Sequence, residues 1–198
     1  MLYMMLKVLI RSVGLFTIVI LVHTSHANAD TSKSFIDYHG ITVFYGHSNW
    51  TDFGPDPVDD YEWTSVNYVM GKHLTNWLDL ETWLGVGYLD TDNHGDTPTL
   101  ELRILADFHY KWMFIKLGGG AAHLFEDHNL PGLAESTVHS IISGSAGFRF
   151  QFNETGNHPI HLTLAYGVEH MSAPLKNGDD GDDGWNTGGA RVSLTWAF

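Results

Sequence analysis

The chain has 198 residues, enough for one domain, and contains no cysteine. Its formal net charge of −13 excludes a broad basic surface for nucleic acid. An exported chain without disulfides takes its stability from its core, from a closed sheet or from a membrane.

Residues 1–29 read as a secretory signal. Lys7 and Arg11 supply the positive start, "VGLFTIVILV" the short apolar core, and Ala27–Asn28–Ala29 the small-residue cleavage site. The apolar run is short for a membrane-spanning helix, and a retained N-terminal anchor is the alternative. Residues 30–198 are then expected to form a single domain, with no second segment long enough to cross a bilayer as a helix.

Along that domain the recurring signal is alternation with period two. "WLDLETWLGVGYL" sets Leu78, Leu80, Leu84, Val86 and Tyr88 on one face against Asp79, Glu81 and two glycines. "TLELRILADFHY" sets Leu100, Leu102, Ile104, Ala106, Phe108 and Tyr110 against Glu101, Arg103, Asp107 and His109. "IHLTLAYGVEH" and "ARVSLTWAF" repeat the pattern near the C-terminus. Such runs predict strands with one apolar and one polar face. About eight of them are counted, starting near Tyr38, Tyr61, Trp77, Pro98, Trp112, Thr137, Pro159 and Thr187.

The connections alternate too. Those at Thr75–Asn76, Tyr110–Lys111 and Asn153–His158 are short, while those at Ser48–Asp60, Asp90–Thr97, Glu126–Ser136 and Ala173–Asn186 are longer and acidic. Short turns on one side and long loops on the other predict an all-β fold, an eight-stranded antiparallel transmembrane β-barrel of the bacterial outer membrane. A soluble sandwich or lipocalin-like barrel also alternates, but it packs its apolar face inward. Three features favour the membrane. Arg103, Asp107, Lys116, Arg149 and Arg191 fall on the polar face, where a lumen lets charges pair. Tyr38, Tyr61, Tyr88, Tyr110, Trp112 and Trp196 sit near strand ends, as an interfacial girdle requires. The chain also closes on a strand ending in Phe198. Eight strands enclose little more than their own side chains, so function is expected on the loops, the rim or the outer wall.

On the seventh strand the apolar positions are even-numbered, and so are His170 and Ser172. Residues two apart share a face, with Cβ atoms roughly 6.5–7 Å apart, so a swung imidazole could reach the serine hydroxyl. If the N-terminus is periplasmic, the pair lies at the outer-leaflet end of the strand. A polar lipid-facing pair costs little there, because the penalty falls away from the midplane.

At "EHMS", "GWNTGG" and "LTWAF" the sequence resembles the lipid A 3-O-deacylase (PagL) family of eight-stranded outer-membrane barrels. "FIKLGGGAAHLFEDHNL" and "GSAGFRFQF" fit the same layout in the middle strands. The resemblance implies hydrolysis of the acyl ester at position 3 of lipid A, with Ser172 as nucleophile and His170 as general base. The family's orienting Glu falls on Asn186, which shares the even, lipid-facing parity, and Asp183 is the alternative third member. An amide can orient a histidine without supplying charge. The family pattern places Asn directly after the serine as an oxyanion donor, where this chain has Ala173, so the main-chain N–H of Ala173 or of the glycines at 188 and 189 becomes the candidate donor.

"NGDDGDDG" lacks the ligand spacing of a calcium loop, and the His and Asp clusters around His123 and His94 lack metal spacing. No metal and no cofactor is expected. Glu169 has lumen parity and is expected to pair with an arginine such as Arg191. The expected partners are lipopolysaccharide and the outer membrane. The competing class is a non-catalytic small barrel with a structural, adhesion or stress-protection role.

Overall fold

The computed structural model describes residues 35–48, 60–91, 95–125, 138–152, 159–172 and 184–197. The expected signal at 1–29 lies outside them, as do Ala173, Asp183 and Phe198. Contacts divide the chain into Met1–Phe35 and Ile36–Phe198, and the second unit is the barrel.

Eight strands form it: β1 (Tyr38–His47), β2 (Tyr61–His73), β3 (Leu78–Thr91), β4 (Gly95–Tyr110), β5 (Met113–Leu124), β6 (Val138–Phe152), β7 (Ile160–Ser172) and β8 (Trp185–Ala197). Each pairs antiparallel with its sequence neighbours, and β8 closes on β1 with Tyr38 opposite Ala197. Strands of 10–16 residues meet the length that a tilted membrane strand needs. Both ends of the barrel segment lie with the tight turns. The β4–β5 hairpin turns at Lys111–Trp112, and Lys111 takes φ 55°, the left-handed conformation such hairpins use at their first central residue.

Alternation sorts the side chains as the sequence predicts. Ile104, Leu102, Leu117, Ile142, Leu164 and Leu194 stand exposed around the outside, Ile142 at 61%. An apolar belt of that extent is incompatible with water and suits hydrocarbon. The inside is polar and filled. Arg103, Lys116 and Arg191 are buried there with Glu81, Glu101, Asp107 and Glu169. This inversion identifies an outer-membrane β-barrel, apolar outward and charged inward.

The lumen is layered. At the loop end Phe44, Tyr61, Trp63, Leu89, Leu124, Ile141, Met171 and Trp185 pack into one apolar plug, and nearer the turns Trp83 packs with Tyr38, Val69 and Leu105. Charges pair within and between these layers. Glu169 accepts from Arg103 at 2.9 Å and from Arg191, while Glu101 accepts from Arg103 at 2.7 Å and from the Trp63 indole at 2.9 Å. Lys116 donates to both Glu81 oxygens at 2.8 and 2.7 Å, and Asp107 faces Arg149 and Lys116. Burial of charge is tolerated because every one of these carboxylates has a cation in contact. The expected pairing of Glu169 with Arg191 is thus found.

Two expectations are corrected. Tyr38 and Tyr61 do not belong to an interfacial girdle; both point inward and are buried. The Tyr38 hydroxyl donates to Glu81 at 2.7 Å and Tyr61 stacks on Trp185, so a phenol closes each end of the lumen where charge or an aromatic plug must be capped. Tyr110 and Trp112 are exposed as a girdle requires, joined by Trp77. The loop expected at Asp90–Thr97 is instead strand as far as Thr91 and again from Gly95, with Asp90 opposite Asp96. Across this extension the Tyr88 hydroxyl donates to the Asp96 carboxylate.

Candidate functional site

The even-numbered residues of β7 face out. Leu164 and Tyr166 are exposed to the membrane side, and Val168, His170 and Ser172 continue the row, while Glu169 and Met171 point inward and are fully buried. On β8 the outward row is Asn186, Ala190, Val192 and Leu194. Strand periodicity therefore brings three polar side chains to one end of an otherwise apolar wall.

Register then decides which of them touch. His170 stands directly opposite Asn186, and its Nδ1 lies 2.9 Å from the amide oxygen of Asn186. That oxygen only accepts, so the ring donates through Nδ1–H, and in the neutral tautomer this leaves the lone pair on Nε2. The lone pair is what a general base needs.

Ser172 stands opposite Ser140 of β6. The two hydroxyl oxygens are 3.1 Å apart, and Ser140 Oγ donates to the Ser172 main-chain oxygen at 3.0 Å. Among the described residues the Ser172 hydroxyl bonds Ser140 and not His170. The histidine–asparagine contact is formed, and the serine is engaged with Ser140 instead. Catalytic hydrogen bonds commonly tighten only when substrate is bound. Asp183, the alternative third member, lies outside the described residues.

The start of β8 is held from inside the barrel. The Tyr61 hydroxyl donates to the Asn186 main-chain oxygen at 2.6 Å, and its ring stacks on Trp185 with centroids 4.1 Å apart. Gly184 enters the strand at φ 68°, and a Cβ there would come within 2.5 Å of His170 Cε1. Only glycine meets both the left-handed backbone and the close approach to the imidazole.

The glycines at 188 and 189 do not offer free N–H groups. Gly188 is paired between Val168 and His47, and Gly189 between Gly167 and Gly46, so their main-chain groups belong to the ladders. Glu169 adjoins His170 in sequence, but its carboxylate is held in the lumen by Arg103, Arg191 and Ser143. The sequence does not mark Ser140, Tyr61 or Gly184 as site residues, and it offers Tyr61 only as a girdle aromatic. Ser140 carried a signal, a hydroxyl in the outward row of β6 that continues through Ile142 to Phe148. The other two depend on cross-barrel packing.

No family model matches the chain, and no curated protein matches it. Among solved structures, the crystal structure of the outer membrane enzyme PagL is similar, with TM-score 0.47 and 14% identity, covering 78% of this chain and 97% of that one. The solid-state NMR structure of outer membrane protein AlkL in lipid bilayers gives TM-score 0.39 and 9% identity, covering 87% of this chain and 92% of that one. The solution NMR structure of the de novo designed TMB2.3 gives TM-score 0.34 and 12% identity, covering 84% and 98%.

Proposed function

We propose that this outer-membrane barrel, exported by a cleaved signal at residues 1–29, is an esterase that removes the 3-O-linked acyl chain of lipid A. Ser172 is the nucleophile, His170 the general base and Asn186 the residue that orients it. The observation that carries the reading is the 2.9 Å contact between His170 Nδ1 and the Asn186 amide oxygen, on the lipid-facing row that also holds Ser172. The substrate class comes from the resemblance of "EHMS" and "GWNTGG" to the lipid A 3-O-deacylase family.

In this mechanism Ser172 turns from Ser140 to His170, and Nε2 takes the hydroxyl proton as Oγ bonds the ester carbon. The carbonyl electron pair moves onto its oxygen, then returns as the alkoxide of the sugar leaves with the proton from Nε2. Water, deprotonated by the same Nε2, attacks the acyl-serine, and as the acyl carbon–Oγ bond breaks Nε2 returns that proton to Ser172 Oγ, releasing the fatty acid. Asn186 holds the tautomer throughout but does not neutralise the imidazolium, so the rate is expected to be lower than with a carboxylate at that place.

Mass spectrometry of lipid A from cells expressing the wild type, Ser172→Ala and His170→Ala tests this. The wild type alone is expected to remove one hydroxyacyl chain. Unchanged lipid A with folded, membrane-inserted wild type rules the activity out. The second reading, a non-catalytic barrel, is favoured by the Ser172 hydroxyl bonding Ser140 at 3.1 Å, and unchanged lipid A would select it.

A further inference from the structure

Resting on the esterase reading, we propose that Ser140 is a further catalytic residue, whose hydroxyl donates a hydrogen bond to the ester oxygen as it becomes negative. Its place in the register carries this. Ser140 of β6 is directly across the sheet from Ser172 of β7, in the same outward-facing row, with its Oγ 3.1 Å from the nucleophilic oxygen. In the tetrahedral intermediate the nucleophilic oxygen and the oxyanion share one carbon. Ser140 Oγ lies 3.1 Å from the resting place of the first, which empties as Ser172 rotates toward His170, and the second is assigned to the space so left. An effective donor sits about 2.7–3.1 Å from the place the oxyanion takes.

The site needs such a donor. The residue following Ser172 is Ala173, whose side chain has nothing to donate and whose main-chain N–H lies outside the described residues, and the main-chain groups of Gly188 and Gly189 belong to the ladders. Ser140 has a hydroxyl to offer once it lets go of the Ser172 main-chain oxygen, which it holds at 3.0 Å. The exchange is local. As Ser172 Oγ swings toward His170, it vacates its contact with Ser140, and the Ser140 O–H rotates about its C–O bond toward the incoming carbonyl oxygen. No proton leaves Ser140. The Ser172 proton goes to His170 Nε2, the carbon–Oγ bond forms, and the carbonyl electron pair becomes the oxyanion that Ser140 binds. Collapse restores the carbonyl, breaks the bond to the sugar oxygen and returns the Nε2 proton to that oxygen. The resting Ser140–Ser172 pair is then the unliganded form of an oxyanion site, with the nucleophile occupying the donor until substrate arrives.

The test uses the purified full-length barrel in detergent micelles, with two readouts. One is the initial rate on lipid A carrying a 3-O-hydroxyacyl chain. The other is the labelling rate by a fluorophosphonate, in which Ser172 Oγ displaces fluoride and the phosphoryl oxygen takes the oxyanion place. Heat-modified gel mobility confirms that each variant is folded. Ser140→Ala is expected to lower kcat by about 10²-fold with KM little changed, and to slow labelling in parallel. Ser140→Thr, which keeps the hydroxyl, is expected to restore most of both. If Ser140→Ala keeps wild-type kcat while Ser172→Ala abolishes it, the role of Ser140 is overturned and the esterase stands. If Ser140→Ala and Ser140→Thr lose activity equally with a matching loss of stability, the residue is structural and the proposal is again overturned. A folded wild type that neither hydrolyses nor labels overturns both readings together.

Discussion

His170 and Asn186 face one another across the β7–β8 ladder, imidazole Nδ1 to amide oxygen at 2.9 Å, on the outside of the barrel. The contact sets the tautomer of the neutral histidine, with the ring lone pair on Nε2.

This relationship predicts the response to substitution at Asn186. Asn186→Ala is expected to lower kcat by about tenfold or more, because the ring loses its tautomer and its orientation. Asn186→Asp is expected to raise kcat above wild type, since a carboxylate also stabilises the imidazolium. Initial rates on lipid A in mixed micelles check both, and equal rates for all three chains would remove Asn186 from the mechanism.

Gly184 is predicted to be intolerant of any side chain. Gly184→Ala places a Cβ 2.5 Å from His170 Cε1 on a backbone at φ 68°. The left-handed conformation alone costs about 1–2 kcal/mol, and the imidazole must also move. Activity is expected to fall while the heat-modified gel shift still reports a closed barrel.

Glu169 separates the lumen from the site. Glu169→Ala leaves Arg103 and Arg191 without the carboxylate they share, a loss of about 3–5 kcal/mol for a buried pair. Denaturant unfolding in detergent is expected to show that loss. At a temperature where the variant remains folded, kcat is expected to stay near wild type, because the carboxylate points away from His170. A large kcat defect without lost stability would mark Glu169 as the missing acid of the site.

Asp37 predicts a modest acid dependence at the turn end. Its carboxylate accepts from Lys72 Nζ at 2.7 Å and from the His73 N–H at 2.8 Å. Partial burial pushes its pKa up, but these two donors outweigh it and hold the pKa below the ordinary aspartate value. A lowered folded-state pKa stabilises above the unfolded value, and the gain is lost as pH falls through the folded value. Both side chains are partly solvated, so the pair contributes at most about 1 kcal/mol. Wild type and Asp37→Asn are expected to differ by that amount in unfolding at pH 7. They are expected to converge below pH ~4.

The glycine N–H groups at 188 and 189 show where reading along the chain stops being informative. In sequence they are mobile-looking glycines after a loop, and candidates to bind an oxyanion. In the barrel they are rungs shared by three strands. Tyr38 and Tyr61 stop being girdle residues for a related reason. Their position near a strand end is visible in sequence, but the side of the wall they serve depends on what the lumen needs at that height.

The sequence by itself determined the strands, their apolar and polar faces and the shared face of His170, Ser172 and Asn186. A strand repeats every two residues, so parity alone sorts the side chains into two faces, and charges along the polar row favour a membrane barrel over a soluble one. The tertiary structure decided the partners. Which residue of β8 meets His170, and that Ser140 of β6 meets Ser172, follows from the stagger of neighbouring strands as the sheet closes on itself. That stagger is a property of all eight strands together, and no single run of residues carries it.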